Sequence, residues 1–380
     1  MEMRYYIIRR LLIIIPTILG LTLLVFILFN FVPNYMITAG LVSPKLPAGQ
    51  KAAAIKAAEV IYGLTYANGQ PIPLYFRYFF YLKDLVTGNW GFMQSALFTG
   101  NVLDGILLYI PNTIQLAIFS TLLTFGISIP LGTYIGARPN SIADQSGRVF
   151  SLAGYAMPAF WLAFILIGIF YVDGHLISLY PGSISPGITP PAWAIGGYGY
   201  PSSVLVSKPT GMWVFDSLIH YFSTGNSYDL YLAENAFEHL ILPVLTLSFG
   251  LIAGVLRYLR SGVVDSLNQE YVKTARSKGV SEKDIIKKHV RKNALIPTVT
   301  VMGLLFAGLL GGVVVVEEVF QYPGIGLFTV NATFGSSGGT SLNPQIYGVL
   351  GVTLVFGIIL MLTNLIVDII YAFLDPRIRY

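Results

Sequence analysis

The sequence contains no cysteine, so the chain can form neither a disulfide framework nor a thiolate metal site. It is also poor in charge: charged residues make up 11% of the 380 positions, against about 25% in soluble domains. Hydrophobic residues make up 54%. Such a chain has too few polar groups to cover its own surface in water. We therefore predict an integral membrane protein built from α-helices, which satisfy their own backbone hydrogen bonds in lipid.

Two patterns of ligand-binding chemistry are also missing. No GxxxxGK[ST] sequence is present, so we do not expect the chain itself to hold ATP phosphates. The four histidines lack the HExxH spacing of a zinc site. We expect His239 and His289 to make hydrogen bonds at helix boundaries, and we predict no metal site and no cofactor in this chain.

Six apolar runs reach the length of roughly 20 residues that a helix needs to cross a bilayer. They cover residues 11–31, 113–135, 149–172, 240–259, 294–316 and 346–373. Prolines at or inside three runs favour helices packed in a bundle, where neighbours satisfy the freed carbonyls. We place an anchor helix and a small extracytoplasmic segment in residues 1–110, and a transmembrane domain in residues 111–380.

Positive charge is concentrated beside particular runs and orients the chain. Residues 257–292 hold ten Lys or Arg and four Asp or Glu, and this surplus of six exceeds the net charge of +5 of the whole chain. Arginines also precede the first run and follow the last one. Both termini are therefore predicted to be cytoplasmic. Because the basic residues lie beside membrane spans, we expect lipid as their surroundings and no nucleic acid.

Two segments on the predicted extracytoplasmic side have features of their own. Apolar residues in 74–86 recur on one helical face, which predicts a helix that lies along the membrane surface or packs against the bundle. Residues 173–238, rich in Tyr, Pro, Gly and Ser, are too long for a simple connector. They either contact an outside partner or add bulk without a contact.

Residues 266–293, called the basic segment below, carry the local signals of two short helices. Ser266 and Gln269 have capping-box spacing, which predicts a helix start at 267 or 268. Gly279 predicts its end, because glycine accepts the left-handed conformation of a C-terminal cap. Ser281, with Asp284 three residues later, predicts a second start. We predict two helices joined by a sharp turn.

Each predicted helix has a distinct face. Tyr271, Ala275 and Lys278 share one side of the first helix, and the second has an apolar side of Ile285, Ile286 and Val290. One interpretation is a solvated basic loop attracted to anionic lipid. The other is a projection that fills a groove on a cytoplasmic protein, since a short helix with an apolar face needs a partner surface.

Several stretches resemble the dipeptide and oligopeptide permease family of ABC importers. The strongest are EYVKTARSKG with HVRKNALIP in the basic segment, VEEVFQYPGIG at 316–326 and NLIVDIIYAFLDPRIRY at 364–380. Similar stretches extend over nearly the whole chain. The sequence departs from the family at PNYM (33–36), at Lys273-Thr274-Ala275 in place of Glu-Ala-Ala, and in a longer 173–238 segment. Oligosaccharide importers of the same branch share the pattern.

This resemblance implies a type I importer permease fold with six transmembrane helices in the prokaryotic cytoplasmic membrane. It also implies four partners: a second related permease, a pair of cytoplasmic ATPases that bind ATP and magnesium, an extracytoplasmic solute-binding protein, and membrane lipid. The ATPases, and not this chain, would hydrolyse ATP. The implied cargo is di- or oligopeptide, with oligosaccharide as the alternative.

The resemblance also assigns residues to roles. Coupling to the ATPase is implied for one set in the first helix of the basic segment: Glu270, Tyr271, Lys273, Thr274, Ala275, Arg276 and Gly279. A second set continues the signature: His289, Arg291, Asn293 and Pro297. The extracytoplasmic motif contains a third: Pro323, Gly324 and Gly326.

Small residues recur at four-residue spacing in the fifth run, at Gly303, Ala307, Gly308, Gly311 and Gly312. They let two helices approach closely. The contact is either with another helix of this chain or with the second permease near the pathway.

Two alternatives from other protein classes were weighed. Residues 335–338 read GSSG and match the GxSG motif of intramembrane serine proteases, but no histidine in the last run offers a base. A secondary transporter would need ionisable residues near the bilayer midplane. Only Asp368 lies well inside a run, and we expect an arginine partner for it.

Overall fold

Helices dominate the computed structural model, which describes residues 3–32, 46–61, 63–95, 98–172, 209–334 and 346–374. The first part of the chain contains three helices and a small antiparallel hairpin: α1 Met3–Phe31, α2 Ala48–Ile61, α3 Leu74–Thr87, β1 Phe92–Gln94 and β2 Thr99–Asn101. The rest is helical: α4 Val102–Gly136, α5 Ile142–Ala156, α6 Ala159–Ile167, α7 Trp213–Thr224, α8 Ser227–Leu267, α9 Glu270–Ser277, α10 Glu282–Asp284, α11 Arg291–Val319, α12 Ile325–Phe334 and α13 Ile346–Leu374. π-Helical turns follow α6 at Gly168–Val172 and α10 at Ile285–Val290.

All six predicted runs lie in helices, but they are not six simple spans. Within the described residues, four helices are long and apolar enough to cross a membrane: α1, α4, α8 and α13. The third run is split between α5 and α6, which meet at an angle of 100°. If this bent pair counts as one span, the number rises to five. The fifth run lies in α11, a helix of 29 residues.

Proline explains the break in the third run. Pro158 forces Met157 into an extended conformation, with φ −77° and ψ 122°, because its ring clashes with a helical residue before it. Met157 therefore ends α5, and Pro158 precedes α6. Pro130 and Pro243 lie inside the continuous helices α4 and α8 instead. The span predicted over 149–172 is therefore bent at Pro158, and it remains one span only if the bent pair is counted together.

The centre of the fold is α8, which packs against α4, α5, α7 and α11. Its main apolar cluster includes Leu116 of α4, Trp213 of α7 and Leu240 of α8, all fully buried. Residues 209–238, assigned from sequence to an outer loop, thus include α7 and the start of α8 and belong to the core. The rest of that predicted loop, residues 173–208, lies outside the described residues.

Helix α4 begins earlier than the apolar run that predicted it. The Asn101 side chain accepts a hydrogen bond from the Leu103 backbone N–H (3.0 Å) and so caps the helix at Val102. The helix then runs without a break for 35 residues. The boundary placed at residues 110 and 111 therefore falls inside a continuous helix.

Helix α3 confirms the amphipathic helix predicted over 74–86. One side packs against α1: the Tyr78 hydroxyl lies 3.1 Å from Thr22 Oγ1, and the Tyr78 and Phe26 rings lie 5.3 Å apart. The other side exposes Phe76 and Phe79. Of the two interpretations, packing against the bundle holds for one side, while the opposite side presents aromatic rings to the surroundings.

Candidate functional site

The basic segment forms the two predicted helices, although the first begins later than expected. Helix α8 continues to Leu267, and α9 starts at Glu270 after an extended Gln269. Ser266 lies in the last turn of α8, where it is buried, and the described structure shows no side-chain cap on α9. The capping-box prediction was therefore wrong, because packing of the α8 end takes Ser266 away from the α9 start.

Gly279 makes the turn between the helices. Its φ is +74°, in the left-handed region that favours glycine. The Gly279 N–H donates to the Arg276 carbonyl (2.9 Å), and the Val280 N–H donates to the Ala275 carbonyl (3.2 Å). This is the hydrogen-bond pattern of a Schellman motif. The helix end predicted at Gly279 is confirmed.

Ser281 then starts the second helix as predicted. Its hydroxyl accepts a hydrogen bond from the Asp284 backbone N–H (3.2 Å). Helix α10 passes through the π-helical turn directly into α11. The turn around Gly279 is therefore attached by continuous helix to the start of α11.

An apolar cluster holds the two helices together. Val272 of α9 and Ile285 and Val290 of the π-helical turn are fully buried against Leu259 and Val263 of α8. Val272 was not singled out from the sequence, because its helix lacked a long apolar run. The cluster makes the basic segment a packed unit at the end of α8, which argues against a disordered basic loop.

Ion pairs join the same two helices on the outside. Arg276 donates twice to Glu282, with distances of 2.6 and 3.2 Å, across the Gly279 turn. The hydrogen bond from Arg276 holds the pKa of the Glu282 carboxyl below its usual value. The pair therefore contributes to stability at pH values above the ordinary glutamate pKa. This contribution is lost as the pH falls through the lowered pKa of Glu282. Both side chains are exposed, so this contribution is small.

The exposed face of α9 differs from the predicted one. Tyr271 is 38% exposed, and Glu270, Lys273 and Thr274 are exposed beside it. Ala275, by contrast, is half-buried and packs with Val280 in the apolar cluster. The face that could meet a partner is therefore centred on Tyr271, and Ala275 contributes mainly to the internal packing of the segment.

The remaining signature residues lie where the segment enters α11. His289 is exposed in the π-helical turn, and its carbonyl accepts a hydrogen bond from the Asn293 side chain (3.0 Å). Arg291 is the first residue of α11 and is half-buried, whereas Pro297 is exposed inside the helix. These residues form the junction between the basic segment and the bundle.

A buried ion pair fixes the nearby end of α8. Arg260 donates two hydrogen bonds of 2.8 Å to Asp144, the fully buried carboxylate in the first turn of α5. Bidentate pairs of this kind add geometric specificity as well as energy. Close to it, Gly136 at the end of α4 lies against Val263. Three helices are thus tied together at the base of the basic segment.

At the opposite end of α11, a buried carboxylate organises the turn to α12. Glu317 is fully buried and accepts hydrogen bonds from the Thr113 hydroxyl and the Gly326 backbone N–H, each at 2.6 Å. The Thr113 oxygen in turn accepts from the Ile325 N–H (2.8 Å). Glu317 therefore satisfies free N–H groups at the start of α12, where a negative charge is favourable.

Neighbouring side chains of α4 extend this network. The Asn112 amide donates to the Pro323 carbonyl (2.9 Å), and the Gln115 amide donates to the Tyr322 hydroxyl (3.0 Å). The Gln115 carbonyl oxygen also accepts from the Val214 N–H of α7 (3.1 Å). The only sequence signal for these contacts is indirect, namely polar residues at the start of an apolar run. The network joins α4, α7 and the α11–α12 turn.

The glycines of the PGIG motif are needed for this close approach. A Cβ on Gly324 would overlap the Glu317 carboxylate, and one on Gly326 would lie 2.5 Å from Val314 Cα. Pro323 supplies its carbonyl to Asn112. The predicted motif residues therefore lie together, and the structure adds Glu317 and Thr113 to them.

The small residues of the fifth run all lie in α11. Gly303 is buried and lies against Val367 of α13, so at this position the close approach is within the chain. For Ala307, Gly308, Gly311 and Gly312 the structure describes the helix but not the surroundings of each position. Contact of those positions with a second permease stays a prediction.

Asp368 and His239, considered above as candidate functional residues, both make contacts within the chain. Asp368 pairs with Arg10 of α1 at 2.8 Å, which confirms the expected arginine partner. His239 is buried inside α8 and bonds the Asn235 carbonyl (2.8 Å), so its predicted place at a helix boundary was wrong. The GSSG sequence at 335–338 lies outside the described residues. In the part of the chain that the structure describes, no three His, Asp or Glu side chains cluster as metal ligands.

Comparison with known proteins covers the whole chain. Residues 128–380 match the family described as the binding-protein-dependent transport system inner membrane component. The chain is 32% identical over 382 residues to the oligopeptide transport system permease protein AppB of Bacillus subtilis (strain 168), covering 100% of both chains. It is 32% identical to the dipeptide transport system permease protein DppB of Alkalihalophilus pseudofirmus, covering 99% of both. It is 31% identical to the probable D,D-dipeptide transport system permease protein DdpB of Escherichia coli (strain K12), covering 96% of this chain and 94% of the relative.

Proposed function

The chain belongs to the family of binding-protein-dependent transport system inner membrane components, and from this premise we propose that it forms one half of the membrane pathway of an ATP-driven peptide importer. It is a multi-pass transport subunit of the cytoplasmic membrane and not a catalytic enzyme. The proposed complex contains a second permease, a pair of ATPases and an extracytoplasmic binding protein.

The basic segment carries this proposal. It is a packed two-helix unit held by Val272 and Ile285, turned by Gly279 and continuous with α11. Its outward side offers Tyr271 between charged residues, which suits a groove on a soluble partner. We propose that α9 enters such a groove on one ATPase, and that ATP-driven closure of the ATPase pair moves α11 through this contact.

The proposed orientation follows from the same segment. Basic residues are enriched on the cytoplasmic side of membrane proteins. The basic segment, the start of α1 and the end of α13 would then face the cytoplasm, and the α11–α12 turn would face outward. The Glu317 network would brace the outer end of the pathway by joining α4 to the α11–α12 turn.

Peptide is the proposed cargo because relatives of full length are named as oligopeptide and dipeptide permeases. An oligosaccharide is the second candidate. Among the described residues, the apolar helices offer few ionisable groups that could fix one charged solute. Asp368 pairs with Arg10, and Glu317 is engaged by backbone and hydroxyl donors. We therefore propose that the binding protein, and not this chain, selects the solute.

We expect the cognate binding protein to bind di- or oligopeptides and not oligosaccharides, because selection is assigned to it. Isothermal titration of that protein against a peptide panel and a sugar panel measures this. The purified permease pair without it is expected to bind neither class tightly. Tight sugar binding by the binding protein would contradict peptide as the cargo and favour oligosaccharide. Tight solute binding by the permease pair alone would contradict the proposal that the binding protein selects the solute.

A further inference from the structure

A cavity of about 630 Å³ lies beside the bundle, and its walls contain no residue of the basic segment or of the Glu317 network. Its walls come from the C-terminal end of α1, from the last turn of α2 and the residues after it, from α3 and the residues that follow it, and from the first turns of α13. This volume is within the range of roughly 300–1,000 Å³ that small-molecule sites occupy. The proposed function gives this cavity no role.

The walls are mainly apolar and aromatic. Val25, Phe26 and Phe29 line it from α1, Phe80 from α3 and Leu350 from α13. Such a lining favours a hydrocarbon chain over a polar solute, because apolar surface is best covered by apolar surface.

The cavity also contains charge. Arg77 and Lys83 line it together with one carboxylate, Asp84. Arg77 is half-buried, and within the described residues its guanidinium has no ion pair and no hydrogen bond. Asp84 is seven residues further along α3, a rise of about 10 Å, so it is too distant to neutralise Arg77. Burial lowers the pKa of Arg77, with Tyr347 opposing this effect. An anionic group from outside the chain would compensate this guanidinium.

The position of the cavity indicates where such a ligand comes from. Leu24 and Leu28 of α1 are about half exposed, and Phe80 of α3 is 44% exposed while it also lines the cavity. In a bilayer these surfaces of a spanning helix face lipid. The α1 residues that line the cavity, Val25, Phe26 and Phe29, lie on the buried side of that helix. Lipid would therefore reach the cavity at the exposed Phe80 of α3, close to the end of α1.

We propose that this cavity binds one anionic phospholipid from the leaflet in which α1 ends, with the phosphate at Arg77 and Lys83 and an acyl chain against Phe26 and Phe29. The bound lipid would fill the gap between α1, α3 and α13. It would thereby hold α3 against the helices of the bundle. The inference requires only that the chain spans a membrane, and it does not depend on peptide transport.

The test uses the full importer complex, delipidated in detergent and then incubated with mixed micelles of phosphatidylglycerol and phosphatidylcholine. Retained lipid is quantified by mass spectrometry. We expect the wild type to retain phosphatidylglycerol selectively, and Arg77→Gln to retain about tenfold less because a charge-assisted contact is removed. Lys83→Gln, at an exposed position, is expected to reduce retention more moderately.

Two further variants separate charge from shape. Lys56→Gln removes the same charge from an exposed position of α2 that does not line the cavity, and it should retain lipid like the wild type. Ala67→Trp places a large ring at an exposed wall position and should reduce retention although no charge changes. Co-purification of the ATPases with each variant checks that the complex is intact.

Four results would overturn the proposal. They are equal phosphatidylglycerol retention by wild type and Arg77→Gln, equal retention of phosphatidylcholine, displacement of the lipid by inorganic phosphate, and displacement by a trileucine peptide. The third would indicate a phosphate site, and the fourth would indicate a site for transported solute. Because the readout is lipid retention and not uptake, failure here leaves the proposed transport function untouched, and the converse also holds.

Discussion

Replacing Tyr271 with aspartate is expected to abolish ATP-driven uptake and to release the ATPases. Tyr271 is 38% exposed on α9, and the fully buried neighbour Val272 anchors the helix, so the change alters the outer face and leaves the apolar cluster intact. Tyrosines at interface centres commonly contribute about 2 kcal/mol or more, which corresponds to roughly a thirtyfold loss of affinity. Pull-down of the ATPases and uptake into proteoliposomes measure both effects.

Tyr231→Asp is the matched control. Tyr231 is 50% exposed near the start of α8, the helix whose other end leads into the basic segment. It should keep the ATPases bound. Ala275→Asp should also lose them, since it places a charge against the apolar cluster that holds the basic segment together. Gly279→Val should strain the left-handed turn by roughly 1–2 kcal/mol and reduce uptake. Normal ATPase binding and uptake by Tyr271→Asp would remove the docking role from this face.

Glu317→Ala is expected to cause the largest loss of stability among single changes at the outer end of the bundle. It leaves the Thr113 hydroxyl and the Gly326 N–H without their buried acceptor. Each buried polar group left unsatisfied costs about 1–3 kcal/mol. Glu317→Gln keeps one acceptor oxygen and should lie between alanine and the wild type. Thermal unfolding of the detergent-purified protein measures the order.

Glu318 provides the control, because it is the next residue and its Oε2 atom has no hydrogen-bond partner among the described residues. Glu318→Ala should shift the unfolding midpoint much less. Gly326→Ala should resemble Glu317→Ala, because its Cβ would displace both Val314 and the carboxylate. If Glu317→Ala and Glu318→Ala unfolded at the same temperature, the bracing role of Glu317 would be refuted.

Local sequence signals predicted local structure well. Apolar runs gave the long helices, and Gly279 and Ser281 gave the turn of the basic segment, because each effect acts over a few residues. The bend at Pro158 was readable in principle, since proline restricts the residue before it. The bend was not predicted because the apolar run continues through it.

Long-range contacts explain the remaining errors. Ser266 had the right spacing for a cap, but burial at the end of α8 decided its conformation. Glu317 meets Thr113, which lies 204 positions away in the sequence, and no local pattern predicts such a pair. Trp213 was assigned to a loop because residues 173–238 are rich in Tyr, Pro, Gly and Ser, yet it lies in the main apolar cluster. Each of these positions is set by packing between helices.

Uptake into proteoliposomes tests the central claim most directly. The chain, its partner permease and the ATPases are reconstituted with ATP on the side of the basic segment, and labelled peptide is added on the other side. We predict that peptide accumulates only when both ATP hydrolysis and the binding protein are present, and that Tyr271→Asp abolishes this accumulation. Accumulation without ATP or without the binding protein, or an unchanged rate with Tyr271→Asp, would contradict the account.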